Sequence, residues 1–293
     1  MEKYDLIIIG GGAAGITAAV YGKRAGFSCL IIENKIFGGQ MCDSAEIENF
    51  PPFLHISGFE LAEKMAETLK DVPKVMAEAT DICEGFIVKT NRGDYKGTGI
   101  IIANGVKRRK LNIKGEKELT GRGVSYCAIC DGNFFRNKTV CVVGGGNTAM
   151  EDAVYLSKIC KKVYIIHRRD CFSAQKNLVD KVKSLENIVF IMAAEAGEIL
   201  GSDRVEGVMV KGERLAVDGI FIAIGLEPQN GAFSHMVDLD KRGYIIAGED
   251  CGTSHKGIFC AGDTRTKEIR QIVTAMSDGA AAVAAAEKYI HGI

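Results

Sequence analysis

Leu6-Ile7-Ile8-Ile9-Gly10-Gly11-Gly12-Ala13-Ala14-Gly15 decides the fold. The apolar run reads as a buried strand, and the glycines after it read as a tight turn into a helix. The same grammar returns at Val140-Cys141-Val142-Val143-Gly144-Gly145-Gly146-Asn147-Thr148-Ala149, displaced by 134 residues. That displacement also superposes Ala19-Val20-Tyr21 on Ala153-Val154-Tyr155 and Ile31-Ile32 on Ile165-Ile166. Each unit is therefore strand, glycine turn, helix and strand, with equal spacing. Gly10 and Gly144 permit the tight turn. Gly12 and Gly146 let a diphosphate approach the main chain, and Gly15 and Ala149 keep helix close to sheet. Helix N-termini, at Ala13-Ala14 and after Gly145-Gly146, then face the anion with free N–H groups. One such turn is common to many α/β sheets. Two in matched contexts predict an α/β protein with two Rossmann-like dinucleotide-binding domains, against the plainer reading of two ordinary glycine turns.

The second strands end differently. The first ends at Glu33, whose carboxylate accepts from a ribose 2′-OH and repels a 2′-phosphate. The second ends at His167-Arg168-Arg169, cations that favour a 2′-phosphate, although a basic strand end is also compatible with a solvated edge. The first site thus suits FAD or NAD and the second NADP. Short alternating runs over 75–105 predict a small antiparallel layer. They lead into Gly99-Ile100-Ile101-Ile102-Ala103-Asn104-Gly105, echoed at Gly219-Ile220-Phe221-Ile222-Ala223-Ile224-Gly225. Each of these glycine-ended strands follows its own nucleotide unit, which places Ala103, Gly105 and Gly225 near a cofactor. The segments 107–114 and 226–230 read as domain connections, and an alanine-rich helix is predicted from about Ile269 to Tyr289.

Charges cancel, 37 basic against 37 acidic, so the basic excess of a nucleic-acid binder is missing. No run approaches the roughly 18 apolar residues of a membrane span, and no secretion signal precedes the first strand. A cytoplasmic protein with mostly free thiols follows. Eight of the ten cysteines (Cys29, Cys42, Cys83, Cys141, Cys160, Cys171, Cys251 and Cys260) are scattered and read as small buried apolar residues. The close pair is Tyr126-Cys127-Ala128-Ile129-Cys130-Asp131-Gly132. CxxC at the start of a helical turn puts both sulfurs within disulfide reach, and the helix start favours a thiolate. Asp131 is the adjacent proton donor or acceptor that thiol exchange needs. Structural zinc needs four ligands. There is no second CxxC and the five histidines are dispersed, so no metal is expected. An inert buried pair is the other reading.

Several longer motifs carry a family resemblance: Gly38-Gly39-Gln40, Glu46-Ile47-Glu48-Asn49-Phe50-Pro51, Cys127 to Gly132, Gly144 to Glu151, His167-Arg168-Arg169, Cys260-Ala261-Gly262-Asp263 and Arg270-Gln271. Over nearly its whole length the chain resembles the low-molecular-weight thioredoxin reductases, class II pyridine nucleotide-disulfide oxidoreductases. The resemblance implies two domains of three-layer ββα type, the second inserted into the first. An FAD domain would comprise 1–106 and 229–293, and an NAD(P)H domain with the redox-active CxxC would comprise 107–228. It implies FAD contacts from Gly10, Gly12, Ala13, Ala14, Gly15, Glu33, Gly39, Gln40, Asn49, Asp263, Arg270 and Gln271. Nucleotide contacts would come from Gly144, Gly145, Gly146, Asn147, Thr148, Glu151, His167, Arg168 and Arg169. Cys130 would lie nearest the flavin, Cys127 would attack the thioredoxin disulfide, and Asp131 would supply the proton. The resemblance further implies a homodimer whose domains rotate between two electron-transfer steps.

Three departures stand out. Ser173 occupies the place of a further arginine after Arg169, the nucleotide domain is short between Val208 and Asp218, and Asn104 replaces a threonine. The first two leave NADH or ferredoxin as an alternative donor, and another small redoxin as an alternative target. A flavin-bearing regulatory module without turnover is a reading of a different class, opposed by the retained CxxC and Asp131.

Overall fold

The computed structural model describes residues 1–44 and 47–293 and divides into two compact units. The first comprises Met1–Asp43, Phe50–Lys107 and Glu227–Ile293; the second comprises Ser44–Asn49 and Arg108–Leu226. Glu46, part of one quoted motif, lies outside the described residues.

The chain enters the first unit through β1 (Lys3–Ile9), α1 (Ala13–Arg24) and β2 (Cys29–Glu33), then α2 (Gly58–Glu67), whose first turn is capped by Ser57 accepting from Glu60 N–H at 3.1 Å. Strands β3 (Lys74–Met76), β4 (Ala79–Cys83), β5 (Ile87–Thr90) and β6 (Gly93–Ile102) follow, and β7 (Val106–Arg108) leaves. In the second unit come β8 (Val124–Ser125), α3 (Ala128–Asp131), β9 (Thr139–Val143), α4 (Asn147–Ser157), β10 (Lys162–His167), α5 (Lys176–Lys183) and β11 (Ile188–Met192). They are followed by β12 (Ala196–Leu200), β13 (Gly207–Val210), β14 (Glu213–Leu215) and β15 (Gly219–Ile222). The chain returns through β16 (Leu226–Pro228), β17 (Ile258–Cys260) and α6 (Ile272–His291).

In the first unit β3-β2-β1-β6-β17 is a parallel sheet, while the N-terminal half of β6 pairs antiparallel with β5 and through it with β4. Parallel strands buried on both faces need unbroken apolar runs, and side chains alternate between the faces. Ile7, Ile9, Leu30, Ile32, Ile100 and Ile102 share one core with Ile82 and Val88 of the β4–β5 hairpin. The intervening Leu6, Ile8, Ile31 and Ile101 are also buried, and the helices α1 and α6 pack together and against this sheet. Alanines and glycines make that packing close. A Cβ on Gly279 of α6 would collide with the Ala14 carbonyl of α1.

The second unit repeats the plan. Its parallel sheet runs β11-β10-β9-β15-β8, and β12-β13-β14 form an antiparallel layer. Val140, Val142, Val163, Ile165 and Phe221 join the core that includes Ala149, Met150 and Val182 of the helices. Cys141, Val143, Ile166, Ile220 and Ile222 join Ile199, Val208 and Val210 of the antiparallel layer. The α/β class and the pair of Rossmann-like units agree with the sequence.

Some local expectations are corrected. The last helix starts at Ile272 rather than near Ile269, because Thr274 Oγ1 accepts the Gln271 N–H at 3.1 Å and caps the helix there. Cys171 is exposed, and Cys42 and Cys83 are half-buried. Cys171 follows Arg168-Arg169-Asp170 in the polar, exposed turn after β10. Among the described residues no helix is long and apolar enough to cross a membrane, and no group of three or more His, Cys, Asp or Glu is placed to hold a metal ion.

Candidate functional site

The first glycine turn is built by backbone approach. Gly10 has φ +108°, and a Cβ there would collide with the Ala103 carbonyl. Its N–H donates to Ile32 O at 2.8 Å, and Ala103 N–H donates to Ile9 O at 2.7 Å, so the turn is clamped between two strands. A Cβ on Gly12 would meet nothing within 4 Å, and no side chain caps α1. The α1 N–H groups thus face open space at a glycine, the geometry that accepts a dinucleotide diphosphate. Buried Glu33 accepts Gly11 N–H at 2.7 Å and Lys35 N–H at 2.8 Å, which fixes its carboxylate beside the turn. Gly38 N–H donates to Gly11 O at 2.7 Å and brings Gly39 and Gln40 alongside; Gln40 Nε2 donates to Val106 O at 2.6 Å.

From the far end of the chain, Asp263 sits in the turn Gly262–Thr264. Arg270 stacks over Tyr244, its guanidinium 4.3 Å from the ring centroid, and Gln271 heads α6. Asn104 donates to Gln229 O and Asn230 Oδ1, each at 3.1 Å, which ties the strand end holding Ala103 and Gly105 to the returning chain. Asn49 is different: its segment clusters with the second unit, where Glu48 accepts Asn133 Nδ2 at 2.8 Å.

The second turn matches the first bond for bond. Gly144 has φ +154°, its Cβ would collide with the Ala223 carbonyl, and its N–H donates to Ile166 O at 3.0 Å. Ala223 N–H donates to Val143 O at 2.8 Å. No side chain caps α4 at Gly146, and Asn147, Thr148 and Glu151 are exposed on its first turns. This turn also fits a diphosphate. Beyond β10 the side chains part company: Arg168 and Arg169 are exposed, while His167 is buried, its ring against Gly145 and its Nε2 3.1 Å from Cys171 O. Ser173 donates from N and Oγ to Gly145 O at 2.9 and 3.1 Å. Gly225, with φ +112°, ends the segment after β15.

The redox pair precedes β9. Cys127 and Cys130 form a disulfide with Cα atoms 5.3 Å apart, both half-buried, and Ile129 between them is exposed. Cys127 heads α3, and its Sγ accepts Cys130 N–H at 3.2 Å, a contact that would favour a thiolate at Cys127. Asp131 Oδ2 accepts the Ser125 hydroxyl at 2.6 Å. Burial pushes the Asp131 carboxyl above its ordinary range, opposed by the Ser125 hydrogen bond and by the positive charge of Arg108.

The model of the pyridine nucleotide-disulphide oxidoreductases matches residues 4–279. The chain belongs to that family, among the thioredoxin reductases. It is 44% identical to a protein of Listeria monocytogenes named thioredoxin reductase, covering 98% of this chain and 94% of that one. It is 39% identical to the 34.2 kDa protein in the rubredoxin operon of Clostridium pasteurianum, over 99% and 98% of the two chains. The crystal structure of thioredoxin reductase from Streptococcus pyogenes superposes with a TM-score of 0.94 at 41% identity, covering 99% of each chain. The family resemblance read from the motifs therefore holds.

In this member of the family, sequence reasoning missed the residues that hold the predicted ones. Ser125 stands two before Cys127, a spacing that allows a serine to bond nearby backbone. Glu116 is 3% exposed and accepts Leu111 N–H, Asn112 N–H and, at 2.7 Å, the Tyr126 hydroxyl next to Cys127. Arg108 lies 6.0 Å from the Tyr126 ring centroid. Asp152 of α4 is half-buried; burial lifts its carboxyl to about 7, against the pull of Arg108. In the first unit Asp278 of α6 binds Gly262 N–H (2.9 Å), Arg265 (2.8 and 3.0 Å) and Lys267 (2.7 Å), and so fastens the loop bearing Asp263 to the helix. Burial pushes this carboxyl up, but the Arg265 and Lys267 bonds outweigh it and hold the carboxyl below the ordinary range.

Proposed function

We propose that this protein is a flavin-dependent thioredoxin-disulfide reductase that takes electrons from NADPH. In this reading FAD is held in the first unit by the Gly10–Gly15 turn, Glu33, Gly39, Gln40, Asp263, Arg270 and Gln271. The nucleotide is held in the second unit by the Gly144–Thr148 turn, Glu151, Arg168 and Arg169. The observation that carries the reading is a half-buried Cys127–Cys130 disulfide with a hydrogen-bonded acid, Asp131, at its side. FAD, when bound, supplies the electron pair that opens that disulfide.

The chain's own residues then carry out exchange. The reduced pair starts as a Cys127 thiolate, a Cys130 thiol and a protonated Asp131. Cys127 Sγ attacks one sulfur of the thioredoxin disulfide; the target S–S bond breaks, a mixed disulfide forms, and the departing sulfur takes the Asp131 proton. Asp131 then removes the Cys130 thiol proton as Cys130 Sγ attacks Cys127 Sγ. The second target sulfur leaves with that proton, and the Cys127–Cys130 bond is restored. Two electrons and two protons have passed to the target.

A tolerance for NADH is a second reading, favoured by Ser173. Its hydroxyl is bonded to the glycine turn, so Arg168 and Arg169 are the exposed cations at this strand end. The same family reading makes the protein a cytoplasmic homodimer, and light scattering at twice the chain mass is the check on assembly.

The deciding experiment is anaerobic mixing of the yellow holoprotein with NADPH and, separately, NADH, following flavin absorbance. Bleaching by NADPH that is reversed by oxidised thioredoxin is the expected result. Bleaching without reversal would point to another redoxin, and no bleaching by either nucleotide would overturn the nucleotide-linked reading in favour of ferredoxin.

A further inference from the structure

We propose that Ser125 is the positioning residue of the redox centre: it occupies Asp131 Oδ2 as an acceptor and so reserves Oδ1 as the oxygen that gains and loses the proton. The inference rests on the reading of Asp131 as proton carrier. Ser125 lies in β8, 4% exposed, at the edge of the second unit's sheet. Its hydroxyl has one proton to give. That proton goes to Asp131 Oδ2 at 2.6 Å, the length of a charge-assisted O–H···O⁻ bond, whereas the Cys127 carbonyl is 3.3 Å away. Ser125 Oγ also accepts Cys127 N–H at 3.1 Å. One side chain thus joins the carboxylate to the backbone of the attacking cysteine.

The other carboxylate oxygen, Oδ1, is buried and meets no hydrogen-bond partner among the described residues. A buried carboxylate oxygen without a partner is costly, and protonation at that atom relieves the cost. With Oδ2 already accepting from Ser125, the proton that leaves with the first target sulfur departs from Oδ1. The Cys130 proton then arrives at the same atom.

The charged and titratable groups around Asp131 are Arg108 at the end of β7, its chain neighbours Tyr126, Cys127 and Cys130, and, on α4, the helix packed against α3, Asp152, which shares Arg108, and Tyr155, whose ring lies against Gly132. Arg108 and Ser125 both favour the ionised form of Asp131. Arg108 also favours the ionised form of Asp152, so its charge is divided between two carboxylates. The Ser125 bond is directed at Asp131 alone.

Removing the Ser125 hydroxyl takes away a bond to the ionised carboxylate. The Asp131-dependent limb of the pH–rate profile therefore moves to higher pH, by on the order of one unit. The test is the pH dependence of kcat/KM for oxidised thioredoxin in Ser125→Ala, Ser125→Thr and Asp131→Asn. Flavin content and Tm are recorded to separate folding from chemistry. Ser125→Ala is expected to shift the limb upward with flavin content kept, and Ser125→Thr to restore the parent profile. Adding Ser125→Ala to Asp131→Asn should slow the enzyme no further. If Asp131→Asn is slow but the Ser125→Ala profile overlays the parent, Ser125 does not position the acid and the inference falls alone. If Asp131→Asn runs at the parent rate, Asp131 carries no proton, and both the underlying reading and the inference fall.

Discussion

Replacing Asp278 by asparagine removes one negative charge from a site that holds two cations. The side chains of Arg265, Lys267 and Asp278 are 4%, 7% and 8% exposed, so water cannot substitute for the lost partner without opening the loop. Breaking one side of a buried ion pair costs about 3–5 kcal/mol. Asparagine keeps one acceptor oxygen, which places the expected loss near the lower figure, about 3 kcal/mol. For a domain of this size that is a fall in Tm of roughly 6–12 °C.

The assay is thermal unfolding of the holoprotein, read by release of flavin fluorescence so that the first unit reports alone. The contrast is Asp71→Asn, which breaks a Lys23–Asp71 pair of the same 2.7 Å length. Its partners are 46% and 68% exposed, and solvent and salt already screen it, so no resolvable change in Tm is expected. The sign with pH follows from the depressed Asp278 carboxyl. Its stabilisation is present above the unfolded carboxylate value of about 4 and fades as the pH falls toward the lower folded value. Asp278→Asn should therefore flatten the acid side of the stability curve. A Tm loss below about 2 °C, with the acid side unchanged, would refute the argument that these cations depend on Asp278.

Three more outcomes follow from the site. Cys130→Ser should keep the yellow flavin and lose thioredoxin reduction to background, as measured by a coupled disulfide assay; turnover at the parent rate would place the electron path elsewhere. Gly144→Ala puts a Cβ into the Ala223 carbonyl at a φ of +154°, adding about 1–3 kcal/mol of local strain. Flavin should be retained while its bleaching by NADPH slows, and normal bleaching would mean the second turn holds no nucleotide. Ser173→Arg should lower KM for NADPH by about fivefold and leave NADH unchanged, because one added cation at a half-exposed phosphate is worth about 1 kcal/mol. Kinetics unchanged from the parent with both nucleotides would remove Ser173 from the specificity argument.

The turns were legible because their cause is local. Gly10 and Gly144 must adopt positive φ under a carbonyl, and only glycine does so at low cost. The strands before them were legible because both faces are buried, so the run is apolar without alternation. The β4–β5 layer could be read from alternation, but its counterpart β12–β14 centres on Gly207-Val208-Met209-Val210, an apolar run with no polar residue to show an alternation. The supporting side chains were not legible for a different reason. Asp278 lies 13 residues from Arg265, and Glu116 lies 10 from Tyr126; each is an ordinary surface-type residue until the fold buries it against its partner. His167 shows the limit in the opposite direction. Counted by charge type it belongs with Arg168 and Arg169, yet it is the last residue of β10 and is buried against Gly145, while the two arginines lie past the strand end and are exposed.

The pairing of α1 with α6 has a consequence for synthesis. The second unit has all its strands once the chain has passed residue 226, and its contacts are then complete. The first unit at that moment has its turn and β1, but it lacks β17 beside β6 and lacks the helix whose Gly279 sits on Ala14. During synthesis the inserted unit is therefore complete before the outer unit, begun at residue 3, receives the helix whose Gly279 sits on Ala14.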